Sequence, residues 1–138
     1  MKANELMVGD WVKIKGDYGK PLKITVIDES YDSINYFDGD AEGELTLHLN
    51  EIEPIPLTPE ILEKNEIKWL CTEPSGRKTY CCNEPVVQCT YIPNSGWLIN
   101  VGACGSIKVR FVEISKIQYV HEFQHALKLC VIEKEIEL

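Results

Sequence analysis

Through the first 57 residues apolar side chains recur at every second position between short polar clusters, the spacing of half-buried strands, since a helix repeats its apolar face every three to four residues. Five strands are predicted: Trp11 to Lys15, Leu22 to Ile27, Ser33 to Phe37, Glu44 to Leu49 and Ile52 to Ile55. In the fourth, Leu45, Leu47 and Leu49 alternate with Glu44, Thr46 and His48, so the leucines are expected inside and His48 outside. Thr58-Pro59-Glu60 reads as a helix start: a threonine cap, a proline whose missing N–H does no harm at the first position, and an acid near the positive end of the dipole. That helix is predicted from Pro59 to about Lys64, with Ile61 and Leu62 facing a core and Asn65 closing it in a left-handed turn.

Period two then resumes over Ile67 to Thr72, Thr79 to Cys82, Val86 to Ile92, Trp97 to Val101 and Ile107 to Ile114. The turns Pro74-Ser75-Gly76 and Pro93-Asn94-Ser95-Gly96 join neighbours in an antiparallel sheet. From Ile117 the spacing turns helical through Tyr119, Val120, Phe123, Ala126, Leu127 and Cys130, and the tail IEKEIEL alternates again, as an edge strand would. The expected fold is α+β and mainly β: residues 1–57 as a small barrel module, 58–66 as a connecting helix, and 67–138 as an antiparallel sheet with a C-terminal helix. Five short strands opening with VGDWVKI resemble the SH3-like barrels of KOW-type modules.

Composition narrows the class. Hydrophobic residues at 44% and charged residues at 26% are the balance of a folded globular chain. The opening MKANELMVGDW lacks the apolar stretch of a secretory signal, and no run approaches the roughly 18 apolar residues of a membrane span. A cytoplasmic address is therefore expected, in which the six cysteines are thiols. Charge is lopsided: residues 1–57 hold five Lys against twelve Asp or Glu, a net −7 of the −8 total. Such a surface repels phosphate backbones, which disfavours nucleic acid, and suits a basic protein partner. The acidic turn Asp38, Asp40, Glu42 and Glu44 is the candidate partner-binding element. Asp38, Asp40, Glu42 and Gly43 also match the first half of an EF-hand loop apart from glutamate at the third ligand position, but the twelfth position is Leu49 where calcium needs a bidentate glutamate, so a solvated hairpin turn is the better reading.

His121-Glu122-Phe123-Gln124-His125 is a literal H-E-x-x-H. Zinc hydrolases place it on a helix because residues four apart reach one metal while the glutamate activates the bound water. With Val120 as zero and about 100° per residue, the apolar positions span roughly 240° to 360°, whereas His121 and His125 fall at about 100° and 140°. The pair is therefore expected to face solvent. A third protein ligand is missing where one family of such enzymes carries histidine, since Val131 stands there, and Glu133, Glu135 and Glu137 lie on the strand-like tail. No metal or other cofactor is expected; zinc on His121 and His125, with Glu122 as the base, is the alternative.

Cys71, Cys81, Cys82, Cys89, Cys104 and Cys130 form no C-x-x-C pair, and neighbours such as Cys81 and Cys82 on a strand point to opposite faces. Most are expected to be buried thiols, with Cys104 on a loop, and Trp11, Trp69 and Trp97 to be core residues. Neither a phosphate-binding glycine loop nor a G-x-S-x-G elbow occurs.

Three stretches, the opening MKANELMVGDWV, the junction EPIPLTPEILEKN and the ending YVHEFQHALKLCVIEKEIEL, resemble small uncharacterised proteins encoded by phages and mobile elements of gut Bacteroidales. That resemblance implies an accessory protein with no reaction attached, and relatives whose helix lacks the second histidine would make His125 incidental. The expected function is thus a non-enzymatic interaction protein binding a partner through an acidic surface. A zinc hydrolase on H-E-x-x-H and an acidic imitation of DNA are the alternatives.

Overall fold

The computed structural model describes residues 1–16, 20–38, 43–83, 86–102 and 111–138, which fall into two compact units: Met1–Pro56 with Tyr119–His121, and Leu57–Gln118 with Glu122–Leu138. The architecture is mainly β, with two antiparallel five-stranded sheets and a C-terminal helix. No described helix is long and apolar enough to cross a membrane.

In the first unit the alternating stretches become β1 (Trp11–Ile14), β2 (Pro21–Asp28), β3 (Ser33–Phe37), β4 (Glu44–His48) and β5 (Ile52–Pro54). Their order is β4-β3-β2-β1-β5. A meander gives the first four, and β5 returns to the free side of β1, where Ile14 stands opposite Ile52. The register of β2 against β3 breaks between Ile24 and Val26, just after Lys23, the last residue of β2 that pairs with β1. Such a bulge bends a strand and raises its twist. A 3-10 turn, Leu49–Glu51, links β4 to β5. The two edges, β4 and β5, share no ladder among the described residues. Leu6, Val12, Leu22, Ile24, Ile34, Tyr36, Leu49 and Ile52 form the core. Full burial of each such aliphatic side chain contributes about 1.5–3 kcal/mol before the entropic cost of ordering it.

One expectation about this core changes. Leu49 is buried within the 3-10 turn and Leu47 is half-buried, but Leu45 is exposed. Strand β4 is an edge paired only to β3, so its alternation has no second neighbour to cover it. His48 is exposed, as its position in the pattern implies.

The second unit opens with α1 (Pro59–Lys64), whose cap is the one read from sequence: Ile61 N–H donates to Thr58 Oγ1 at 3.4 Å. Its end differs by one residue. Asn65 has φ −90°, and Glu66 takes the left-handed conformation at φ 63°. Ile67 N–H donates to Leu62 O at 2.9 Å and Glu66 N–H to Glu63 O at 3.0 Å, the paired bonds of a Schellman ending, with Leu62 and Ile67 both fully buried.

Strands β6 (Lys68–Thr72), β7 (Lys78–Asn83), β8 (Val86–Ile92), β9 (Gly96–Gly102) and β10 (Phe111–Ile117) follow as a plain meander, β10-β9-β8-β7-β6. Residues 107–110 of the last predicted strand lie outside the described residues, and the observed strand runs on to Ile117 across a bulge. The registers Tyr80–Cys89–Ile99 and Cys82–Val87–Val101 line up the apolar face. Trp97 sits on that face, 5.8 Å from Tyr80 edge to face and donating Nε1–H to Leu57 O at 3.0 Å. On the opposite face the Thr79 and Thr90 hydroxyls, 3.2 Å apart, satisfy each other. Gly96 is required at the β8–β9 turn: its φ is 88°, and a Cβ there would stand 2.7 Å from Ile117 O.

Helix α2 (Val120–Leu129) closes with a second Schellman pair, Ile132 N–H to Leu127 O and Val131 N–H to Lys128 O, both 3.0 Å, which puts the β-branched Val131 at φ 58°. The tail beyond it joins no sheet, contrary to the strand its alternation suggests. Two other expectations fail here. Trp69 is 56% exposed because β6 is an edge strand with every side chain open to solvent. Among the five described cysteines only Cys89 is buried; Cys71 is exposed, Cys81, Cys82 and Cys130 are half-buried, and Cys104 lies outside the described residues.

Candidate functional site

The H-E-x-x-H stretch forms the first turns of α2. His121 is only 5% exposed, and its ring stacks on Tyr119 with centroids 5.8 Å apart and planes at 10°. Glu122 Oε2 accepts the backbone N–H of Gln118 at 2.7 Å, which ties this carboxylate to the segment leading into the helix. His125 is half-buried.

The solvent-facing histidines expected from the helical wheel are thus corrected for His121. The wheel identified the apolar arc, but Val120, His121, Phe123, Gln124, Ala126 and Leu127 are all buried. On the same wheel burial runs through about 220°, against the roughly 120° that the apolar positions alone span. The polar residues His121 and Gln124 therefore lie in the covered part, while Lys128 and Leu129 are exposed one turn later.

Among the described residues no group of three His, Cys, Asp or Glu side chains is placed to hold a metal ion. The tail carboxylates of Glu133, Glu135 and Glu137 are all exposed.

The acidic turn is described in part. Asp40 and Glu42 lie outside the described residues. Asp38 is half-buried and ion-paired with Lys20 at 2.6 Å, and Glu44 is exposed, accepting from Asn35 Nδ2 at 3.2 Å. What the alternating pattern did not reveal is the apolar company of these acids. Phe37, opposite Glu44 in the β3–β4 ladder, is 61% exposed, and Leu45, opposite Tyr36, is exposed on the other face of the ladder. The signal existed in the sequence, since Phe37 falls out of phase with Ile34 and Tyr36.

Two cavities were not legible in the sequence. One, of about 590 Å³, lies in the first unit between the N-terminal 3-10 turn Ala3–Glu5, the end of β1, the β2–β3 turn and the 3-10 turn after β4; Lys2, Lys15 and His48 line it. The other, of about 330 Å³, is in the second unit and is lined by Cys81, Cys82, Lys68 and Lys134. Burial raises the Cys82 thiol above its ordinary pKa, and the neighbouring Lys134 opposes that only in part. A thiol so shifted stays protonated and is a poor nucleophile at neutral pH.

No protein-family model matches this chain, and comparison with curated proteins and with solved structures finds no match either.

Proposed function

We propose that this chain is a non-enzymatic interaction protein, an accessory protein of a phage or mobile element, whose first unit binds a basic protein through the acidic β3–β4 edge. The observation that carries the reading is Phe37, exposed at the end of β3 with Glu44 opposite it on the edge strand β4 and Asp38 next in sequence. An apolar anchor with a carboxylate opposite it suits a basic segment that brings one hydrophobic side chain: the anchor supplies burial, and the charge of the acidic unit steers the approach.

The proposal includes an SH3-like form for the first unit. The strand order β4-β3-β2-β1-β5, the bulge in β2 close to where it changes partner from β1 to β3 and the 3-10 turn before β5 support it. Cytoplasmic residence belongs to the same reading and rests on the composition and the thiols.

The test is co-purification with cross-linking at low salt, followed by the same experiment on a Phe37→Ala, Glu44→Lys variant. A basic partner is expected, cross-linked to the β3–β4 hairpin, lost from the variant and weakened as ionic strength shortens the screening length to about 8 Å. A partner retained at full level by the variant, or none captured at low salt, refutes the assignment of this edge.

A further inference from the structure

The first unit is strongly acidic, yet its unpaired cationic side chains are gathered in one place. Of its five lysines, Lys13 is paired with Glu53 at 2.9 Å, Lys20 with Asp38, and Lys23 lies 5.9 Å from the centre of the Trp11 ring. The remaining two, Lys2 and Lys15, line the 590 Å³ cavity together with His48, the only histidine of residues 1–57. Among the described residues neither of these two lysines forms an ion pair with a carboxylate. Asp32 is the single acid on the cavity wall among the described residues.

The walls are fixed by backbone bonds rather than by the side chains that would meet a ligand. Leu49 N–H donates to Asp32 O at 2.8 Å, tying the 3-10 turn to the β2–β3 turn, and Lys15 N–H donates to Glu51 O at 2.8 Å, tying the same turn to β1. Lys15 Nζ donates to Asn50 O at 2.5 Å, which holds the ammonium at the wall. Pre-organised walls lower the ordering cost of binding. The volume is that of a small-molecule site.

We infer that this cavity binds a small phosphate ester carrying a flat apolar group. Lysine ammoniums act as compact point charges toward phosphate, and two of them with an imidazole match a dianion better than a single carboxylate. The flat group has a partner in Tyr31, which is 73% exposed on the wall, and an apolar contact in Leu49. Asp32 can accept a hydroxyl proton from the ester's alcohol part but repels a second anionic group, which argues for a monoester over a polyphosphate. The site lies at the Ser33–His48 end of the β3–β4 ladder, away from Phe37 and Glu44 at the other end, and its failure would leave the proposal for that end untouched.

The experiment is an amide NMR titration of the whole chain with adenosine 5′-monophosphate, inorganic phosphate and adenosine as probes. The variants are Lys2→Gln with Lys15→Gln, Tyr31→Ala, and Lys64→Gln as a control in the second unit. All four positions are exposed, and an unchanged spectrum away from the cavity checks that each variant is folded. Expected are saturable shifts at Lys15, Asp32, His48 and Asn50 for the nucleotide, at least a fivefold loss of affinity in the double lysine variant, and a fall to the level of inorganic phosphate in Tyr31→Ala. Lys64→Gln should bind as the native chain does. Shifts that never saturate, that spread over lysines throughout the chain, that survive the double variant, or that are no tighter for the nucleotide than for inorganic phosphate overturn the inference.

Discussion

At the scale of single residues, H-E-x-x-H spacing states what a helix could hold, and the burial of each residue states what its loss would cost. His121 is enclosed and stacked on Tyr119, Glu122 accepts from the backbone of Gln118 ahead of the helix, and His125 is half-buried. Their roles should separate on mutation. Removing a buried ring leaves a cavity, so His121→Ala is expected to lower stability by about 2–4 kcal/mol, whereas His125→Ala should cost under about 1 kcal/mol. Chemical denaturation measures both. Zinc determined on untagged protein, purified without immobilised metal, is expected well below one equivalent and unchanged in His125→Ala. Near-stoichiometric zinc that disappears in that variant would restore the hydrolase reading and require a third ligand outside the described residues.

At the scale of elements, strand and helix positions were legible because burying one face of a strand imposes period two on its sequence, while α1 carries its cap in Thr58-Pro59-Glu60. Sheet order was not legible, because local alternation is the same on an edge as in the centre; Leu45 and Trp69 are exposed for that reason. The tail shows how alternation can mislead. Ile136 is buried, as an inward strand residue would be, but its neighbour Glu137 is held by a side chain instead of a strand: Asn65 Nδ2 donates to Glu137 O at 2.7 Å, and Glu137 N–H donates to Asn65 Oδ1 at 2.9 Å. The amide of Asn65 thus imitates one rung of a ladder, and it also donates to Ile61 O at 2.8 Å at the end of α1. Asn65→Ala leaves these backbone groups unpaired in a part-buried place, a loss of about 2–4 kcal/mol. Hydrogen exchange should find the Glu137 amide deprotected in that variant while the amides of β8 keep their protection; equal protection of Glu137 in both proteins would mean that burial of Ile136 alone holds the tail.

For the molecule as a whole, the charge asymmetry and the two strand-rich halves could be read from composition, but the 590 Å³ cavity could not, since Lys2, Lys15 and His48 are brought together only by the returning 3-10 turn. The titration of the second sheet is likewise a property of the fold. Burial raises the thiol of Cys89 far above its ordinary 9.0, and burial also raises Cys82, Cys130 and the phenol of Tyr80, to which Glu63 and Glu60 add. Each group is neutral when protonated, so the folded state keeps protons that the unfolded chain releases. With fewer protons on the unfolded chain, stability is full below pH 9.0 and falls as pH rises from there toward the elevated folded values. Cys89 is the most enclosed of the four and contributes up to about 1.4 kcal/mol per pH unit in that window. Cys89→Ala should therefore lose stability at pH 7 through its cavity, yet lose less further stability between pH 9 and 11 than the native chain. Urea midpoints taken across that range read the slope apart from the level, and parallel slopes in the two proteins would show that the Cys89 thiol ionises freely in the folded sheet.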